Sequence, residues 1–157
     1  MTIKIVKAEE KHVTAIGQLW WEAGLFHQNV DPIFTPCEGS IPDFKENQVR
    51  HLMKSEDWLA LVALDKGRVV GYSLSEIRGS SPGLKREKYG YIDDMGVTAS
   101  YRRKGIGEKM LAEIMKWFKS KDIARGELQT TAQNVVANSF WQKQGFTVYR
   151  HTLYKNI

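Results

Sequence analysis

The chain has 157 residues, of which 42% are hydrophobic and 26% charged, and its formal net charge is +5. This length favours a single domain, and the composition excludes wholesale disorder and collagen-like structure. No apolar run approaches the roughly 18–20 residues that cross a bilayer. The N-terminus lacks the apolar core and the cleavage site of a signal peptide. We therefore predict one domain over residues 1–157, located in the cytoplasm and without a membrane partner.

The cysteine and histidine content narrows the possible chemistry. A lone cysteine, Cys37, excludes an intrachain disulfide and a CxxC metal site. Its loop position and the lack of an obvious histidine partner favour an ordinary thiol over a nucleophile. The four histidines do not have the spacing of metal ligands, so we predict that no metal is bound.

The positive charge is gathered in two clusters. They are Lys85, Arg86 and Lys88, and Arg102 to Lys104 followed by Lys109. A net charge of +5 is modest for a nucleic-acid-binding protein. The second cluster adjoins glycines at the start of a predicted helix, which favours a small phosphate-bearing ligand over a nucleic acid.

The first half of the chain reads as a strand, two helices and a β-meander. Hydrophobic periodicity and turn residues predict these elements. They are a strand from Ile3, a helix from Val13 ending near Gly24, a loop from Pro32 to Pro42, a weaker helix over Phe44–Met53, and strands over Trp58–Leu64, Val69–Ile77 and Lys88–Val97.

The second half alternates helices and strands. The predicted elements are a helix over Lys104–Phe118, a short strand over Glu127–Thr131, a helix over Asn134–Gln144 closed by Gly145, and a terminal strand over Phe146–Tyr154. This order predicts an α/β (mixed α+β) domain. We expect a mixed central sheet of about six or seven strands, flanked by about four helices.

Two glycines follow the predicted strand that ends at Val97. Gly105 and Gly107 allow close approach of a ligand to the first turn of the next helix, where N–H groups are unpaired. Arg102, Arg103 and Lys104 add positive charge, and together these features predict a pyrophosphate site. The dinucleotide fingerprint fails because Met110 stands where its third glycine is needed. The competing interpretation is a basic surface turn.

Two motifs resemble the GNAT superfamily of N-acetyltransferases, which use acetyl-coenzyme A. The first is R-x-x-G-x-G at Arg102–Gly107, after a strand ending Met95-Gly96-Val97. About thirty residues later comes a second motif, made of Asn134, Ala137, Phe140, Trp141, Gly145 and Phe146. Their order and separation match the family, and the resemblance extends over nearly the whole chain.

The resemblance implies roles for particular residues. The pyrophosphate would be bound by Arg102, Arg103, Lys104, Gly105, Ile106 and Gly107, mostly through backbone N–H groups. The strand before them would splay at a bulge, where the backbone of Met95, Gly96 and Val97 pairs with the pantetheine arm. Asn134 would contact the same arm. Acetyl-CoA and an amine acceptor are the implied partners, and a homodimer is compatible with the family.

Asp93 and Asp94 are the candidate bases for acceptor deprotonation. Strand alternation puts them on opposite faces unless a bulge intervenes, and the alternative role for each is a pair with a basic neighbour. Glu76 is a weaker candidate. Trp141 occupies the place of the tyrosine that often serves the family as general acid, and Gln129 stands where some members have glutamate.

The acceptor is expected between the first helix and the loop that follows it. His27, Asp31 and Phe34 are the candidate acceptor-binding residues, although the aromatics could instead pack as a lid. We predict transfer of acetyl directly to a primary amine of a small molecule or peptide. The alternative is an acyl-CoA-binding module of the same fold with little or no catalysis.

Overall fold

A computed structural model describes residues 2–35, 42–85 and 88–157, with the backbone alone for 42–44. Cys37 and Arg86 therefore lie outside the described residues. The strands are β1 (Ile3–Lys7), β2 (Trp58–Asp65), β3 (Arg68–Gly79), β4 (Lys88–Val97) and β5 (Gly126–Leu128). The α-helices are α1 (Val13–Val30), α2 (Pro42–Leu52), α3 (Ile106–Ser120) and α4 (Val135–Lys143). None of the described helices is long and apolar enough to span a membrane.

The sheet is mixed, as predicted. Its strands lie in the order β1-β2-β3-β4-β5, with antiparallel pairing from β1 to β4. The pair β4–β5 is parallel and is connected through α3, as a strand–helix–strand unit requires. The fold class and the four flanking α-helices are confirmed for the described residues.

Alternation along the strands separates two apolar layers. On one face of the sheet, side chains of β2 and β3 pack against α1 and α2, in a cluster that includes Val13, Val49 and Leu74. On the other face, α3 covers Leu61, Ile92 and their neighbours. The sheet is therefore buried on both sides over its central strands.

Some element boundaries differ from the prediction for local reasons. The first helix does not end near Gly24 but continues to Val30. It stops where Asp31 turns to extended backbone, with φ −149° and ψ 121°. Asp31 precedes Pro32, and the proline ring disfavours helical conformation in the residue before it.

The predicted terminal strand over Phe146–Tyr154 is wrong, as is the expected count of six or seven strands. The described residues form five strands, and the segment after Gly145 has no strand structure. Val148 is 73% and Leu153 91% exposed. Alternation alone does not form a strand, because each ladder hydrogen bond needs a partner edge. β5 offers only three residues instead of the predicted five.

A pair of glycines brings β4 and β5 close to α3. Gly90 and Gly126 are register partners across the parallel pair, and the ring of Phe118 packs on both. A Cβ at Gly90 would lie 2.4 Å from Phe118 Cζ, and one at Gly126 would lie 3.3 Å from Cε2. Sequence reasoning missed this contact, although glycine inside a strand is a general signal of close approach.

Candidate active site

A bulge in β4 places both aspartates on the same face of the sheet. Asp94 pairs with Leu74 and Ile92 with Ser75, so that Asp93 is the extra residue. The side chains of Leu74 and Asp94 point to the α1 and α2 face. The Asp93 carboxylate also lies there, 3.4 Å from Arg78 Nη2. Strand alternation predicted the two carboxylates on opposite faces unless a bulge intervened. The bulge is present, and both carboxylates lie on one face.

Asp94 is held from α2 by a buried lysine. Lys45 Nζ lies 3.1 Å from Asp94 Oδ2, and the two side chains are 6% and 20% exposed. The Lys45 ammonium also lies 5.5 Å from the centre of the Trp20 ring. Removing one partner of so enclosed an ion pair leaves an uncompensated charge, which makes this pair a strong constraint on the Asp94 carboxylate.

Tyr72 completes the surroundings of Asp94. Its side chain is fully buried, and its hydroxyl oxygen faces the Asp94 carboxylate without forming a hydrogen bond of ordinary geometry. Burial, and then the neighbouring Asp94 charge, raise the pKa of Tyr72 well above its usual range. Its ring also explains Gly96, because a Cβ there would lie 2.8 Å from Tyr72 Cε1.

Asp93 and Glu76 share a different cation. Arg78 pairs with the Glu76 carboxylate and with Asp93, and its guanidinium carbon lies 3.4 Å from the centre of the Tyr91 ring. Glu76 is therefore engaged by Arg78 in this structure. Asp93 is also paired with Arg78, at the longer distance given above, and it is the more exposed of the two aspartates.

Among the described residues, no strand pairs with the outer edge of β4 beyond Ile92. β5 pairs only with Gly90–Ile92. Thr98 donates its N–H to the Val70 carbonyl on the inner side. Since alternate residues of a strand direct their backbone groups to opposite edges, Met95 and Val97 face the gap. The Val97 carbonyl is already occupied, because Arg102 Nε donates to it at 2.9 Å.

The gap leads to the start of α3. Gly105 precedes the helix with a left-handed φ of +75°, and Lys109 N–H to the Gly105 carbonyl is the first backbone bond of the helix. The N–H groups of residues 106–108 have no partner in the described structure, as is general for a first turn. Gly107 has a further reason to be glycine, because a Cβ would lie 3.2 Å from Phe140 Cζ.

The three basic residues of this turn differ in their contacts. Arg102 is turned back to Val97 and towards α1. Lys104 Nζ donates to the Ser100 carbonyl at 2.9 Å. Arg103 is exposed and makes no hydrogen bond or ion pair with the described residues. Arg103 is thus the cation of the turn that is available to an anionic ligand.

The second motif lies on α4. Asn134 is buried, and its Oδ1 accepts the Ala137 N–H at 3.1 Å, which caps the helix. The Trp141 ring lies 4.9 Å from that of Phe140 and 5.2 Å from that of Phe146, and it packs on the core beneath α3. These contacts explain the apolar positions of the motif by packing.

Part of the expected acceptor site comes together at the end of α1. The His27 ring lies 5.8 Å from that of Phe26 and 6.2 Å from that of Phe34. Asp31 instead caps the short 3-10 turn over Pro32–Phe34, since its Oδ1 accepts the Ile33 N–H. The described residues contain no group of three or more potential metal ligands.

Sequence reasoning missed two residues that surround Asp94: Lys45 and Tyr72. The alternation of β3 could have placed Tyr72 on the face of Asp94. Nothing in the sequence marked Lys45 as buried, because lysine on a weakly amphipathic helix is normally solvated.

Replacing Tyr72 by phenylalanine is expected to keep or raise stability at neutral pH, by up to about 1 kcal/mol, because it removes a buried hydroxyl that forms no hydrogen bond of ordinary geometry with Asp94. Above pH 10.0, the ordinary pKa of tyrosine, unfolded Tyr72 loses its proton while the folded form retains it. Stability therefore falls as pH rises, and the variant should show a shallower fall. Urea unfolding at several pH values measures both, and a loss above about 1 kcal/mol at pH 7 would instead indicate a bonded hydroxyl.

Comparison with known proteins gives the same assignment as the two motifs. Residues 14–146 match the Acetyltransferase (GNAT) family. Streptothricin acetyltransferase A of Bacillus subtilis is 32% identical over 60 residues, which are 38% of this chain and 35% of that protein. The chain is thus matched to about a third of that relative's length.

Two solved structures share the fold. The F44R mutant of the BH1408 protein of Bacillus halodurans superposes with a TM-score of 0.88 at 19% identity, covering 100% of this chain and 99% of that one. The aminoglycoside N-acetyltransferase AAC(6')-Iy, solved with CoA, superposes at 0.78 with 15% identity, covering 99% and 95%. At these identities the superpositions establish the fold alone, and the family match over most of the chain decides membership. The chain belongs to the GNAT family of acetyltransferases.

Proposed function

We propose that this protein transfers acetyl from acetyl-CoA directly to a primary amine of a small molecule or peptide. One observation carries the proposal: β5 pairs with β4 only up to Ile92, where the bulge at Asp93 begins, so the described structure leaves the outer edge of β4 unpaired before the N–H groups at the start of α3. An extended pantetheine arm can pair with such an edge while its pyrophosphate rests on the helix start. Membership of the acetyltransferase family supports the same assignment.

The binding residues follow from this placement. The phosphates would accept hydrogen bonds from the N–H groups of residues 106–108 and attract Arg103. The Met95 and Val97 N–H groups would face the arm and the thioester carbonyl. Asn134 keeps its amide N–H₂ available for the arm, because its own cap contact uses only Oδ1.

The chemistry needs a neutral amine and a stabilised oxyanion. We assign Asp94 as the group that accepts the proton of the acceptor ammonium, directly or through water, because it is more enclosed than Asp93. The free amine then attacks the thioester carbon. The attacking nitrogen releases its second proton to solvent, the carbon–sulfur bond breaks, and the thiolate takes up a proton. A backbone N–H at Met95 or Val97 would stabilise the developing oxyanion. Trp141 is packed among aromatics and would contribute no proton, so solvent would supply it.

The packing of Trp141 also favours a second candidate, an acyl-CoA-binding module without efficient turnover. In that case the coenzyme would bind with saturation, while no amine of a broad panel would be acetylated. If any amine is acetylated at a rate that saturates with the amine concentration, the protein is an acetyltransferase and the binding-module candidate is rejected.

Reversing the charge of Arg103 is expected to weaken acetyl-CoA binding about tenfold at low salt, and less at high salt, because the residue is exposed. Calorimetric titration of wild type and Arg103→Glu measures the change. Lys121→Glu, at the other end of α3 and about 22 Å away by helix rise, is the control. Equal affinity of the Arg103 variant and wild type would remove Arg103 from the site.

The amine screen can begin with compounds suggested by similar proteins. Streptothricin and aminoglycosides are named for the relatives described above, and we propose these together with polyamines, amino acids and peptides as the first panel. Release of the CoA thiol, followed with a thiol reagent, gives the rate for each.

A further inference from the structure

Glu22 connects the acceptor-side helix α1 to the segment that follows β4. Thr98 Oγ1 donates to its Oε2 at 2.9 Å, and the Ala99 N–H donates to its Oε1 at 2.9 Å. The carboxylate therefore satisfies a backbone donor at the start of the short 3-10 turn over Ala99–Tyr101. This turn leads directly into the basic residues at the start of α3.

Arg102 adds a second connection at the same place. Its Nη2 lies 3.8 Å from Glu22 Oε1, and its guanidinium carbon lies 5.2 Å from the centre of the Phe26 ring. Glu22 and Phe26 are four residues apart and so lie on one side of α1. The next residue, His27, belongs to the aromatic group with Phe34. The part of α1 from Glu22 to His27 thus contacts residues 98–102, which lead into the proposed coenzyme site, and also carries part of the expected acceptor site.

We propose that Glu22 is a positioning residue that couples coenzyme binding to the order of the acceptor-side end of α1. The inference rests on the proposed coenzyme site. Coenzyme that immobilises the turn after β4 would immobilise α1 from Glu22 to Val30 through these contacts. By linkage, an ordered α1 favours coenzyme binding to the same degree.

The bonds to Thr98 and Ala99 carry the coupling more than the ion pair does. Glu22 and Arg102 are 39% and 40% exposed, and attraction between half-exposed charges is largely screened. A charged acceptor with two short donors contributes more. Glu22→Gln should consequently retain part of the coupling, whereas Glu22→Ala should abolish it.

Hydrogen–deuterium exchange with and without coenzyme A tests the coupling and needs no acceptor. In wild type we expect slower exchange both at residues 102–108 and in α1 from Glu22 to Val30. In Glu22→Ala the first region should still respond while α1 does not, and the Kd for coenzyme A should rise about fivefold. Glu113→Ala, which removes a surface glutamate of α3 paired only with Lys116 in the described structure, is the control.

The outcomes separate the two proposals. No slowing at residues 102–108 in wild type would overturn the coenzyme site itself, and the coupling with it. Slowing there without a response of α1 would overturn the coupling alone. The same holds if Glu22→Ala keeps the α1 response while its unfolding curve matches wild type.

Discussion

Asp94→Asn is expected to lower kcat for amine acetylation by about 100-fold, the lower end of the usual contribution of a general base. Asparagine keeps the size of the side chain but cannot take the proton of the acceptor ammonium. The same change leaves Lys45 buried beside a neutral amide. Because Asp94 is partly exposed, we expect a loss of about 2 kcal/mol, below the usual cost of breaking a fully buried pair.

A double variant separates the chemical from the structural effect. Asp94→Asn combined with Lys45→Met removes both charges and should recover most of the lost stability while kcat stays low. Asp93→Asn is the matched control, on the adjacent and more exposed carboxylate, and should change kcat by less than about threefold. A double variant with wild-type kcat would show that Asp94 is not the base.

Gly90→Ala is expected to destabilise the protein by about 3 kcal/mol, at the upper end of the cost of overpacking. The new Cβ would lie 2.4–2.6 Å from three atoms of the Phe118 ring. This ring is buried and also packs closely on Gly126 of β5, so it has little room to move away. Chemical denaturation of both proteins measures the difference.

Two further variants make the test specific. Gly79→Ala also changes a strand glycine, but a Cβ there meets nothing within 4 Å, so stability should change by less than about 0.5 kcal/mol. Phe118→Leu should relieve part of the cost when combined with Gly90→Ala, giving a favourable coupling energy. Equal changes in the free energy of unfolding for Gly90→Ala and Gly79→Ala would contradict the close packing of Phe118 on Gly90.

The sequence predicted the elements well where strong local signals coincide. β4 has the predicted bounds Lys88–Val97, and α3 spans Ile106–Ser120 where a helix over Lys104–Phe118 was predicted. The terminal strand failed because its pattern is local, whereas a strand needs a hydrogen-bonding edge elsewhere in the chain.

The site was predictable in part. The glycine turn was predicted from its position between a recognisable strand and helix, whereas the aspartates were proposed from the resemblance to the acetyltransferase family. Lys45 and Glu22 act across 49 and 76 residues of sequence, respectively, and no local pattern encodes such contacts. The bulge that sets the direction of Asp93 also depends on the register with β3, which the sequence of β4 alone does not determine.

The contact of Phe118 with Gly90 and Gly126 has a consequence for how the molecule opens. The ring joins β4, α3 and β5 at one point, and three residues of parallel pairing are too few to persist without it. Loss of α3 from the sheet would release β5 at the same moment, so these elements should behave as one cooperative unit. Backbone amides of β5 are then expected to exchange with solvent at the rate at which α3 unfolds, however short the strand.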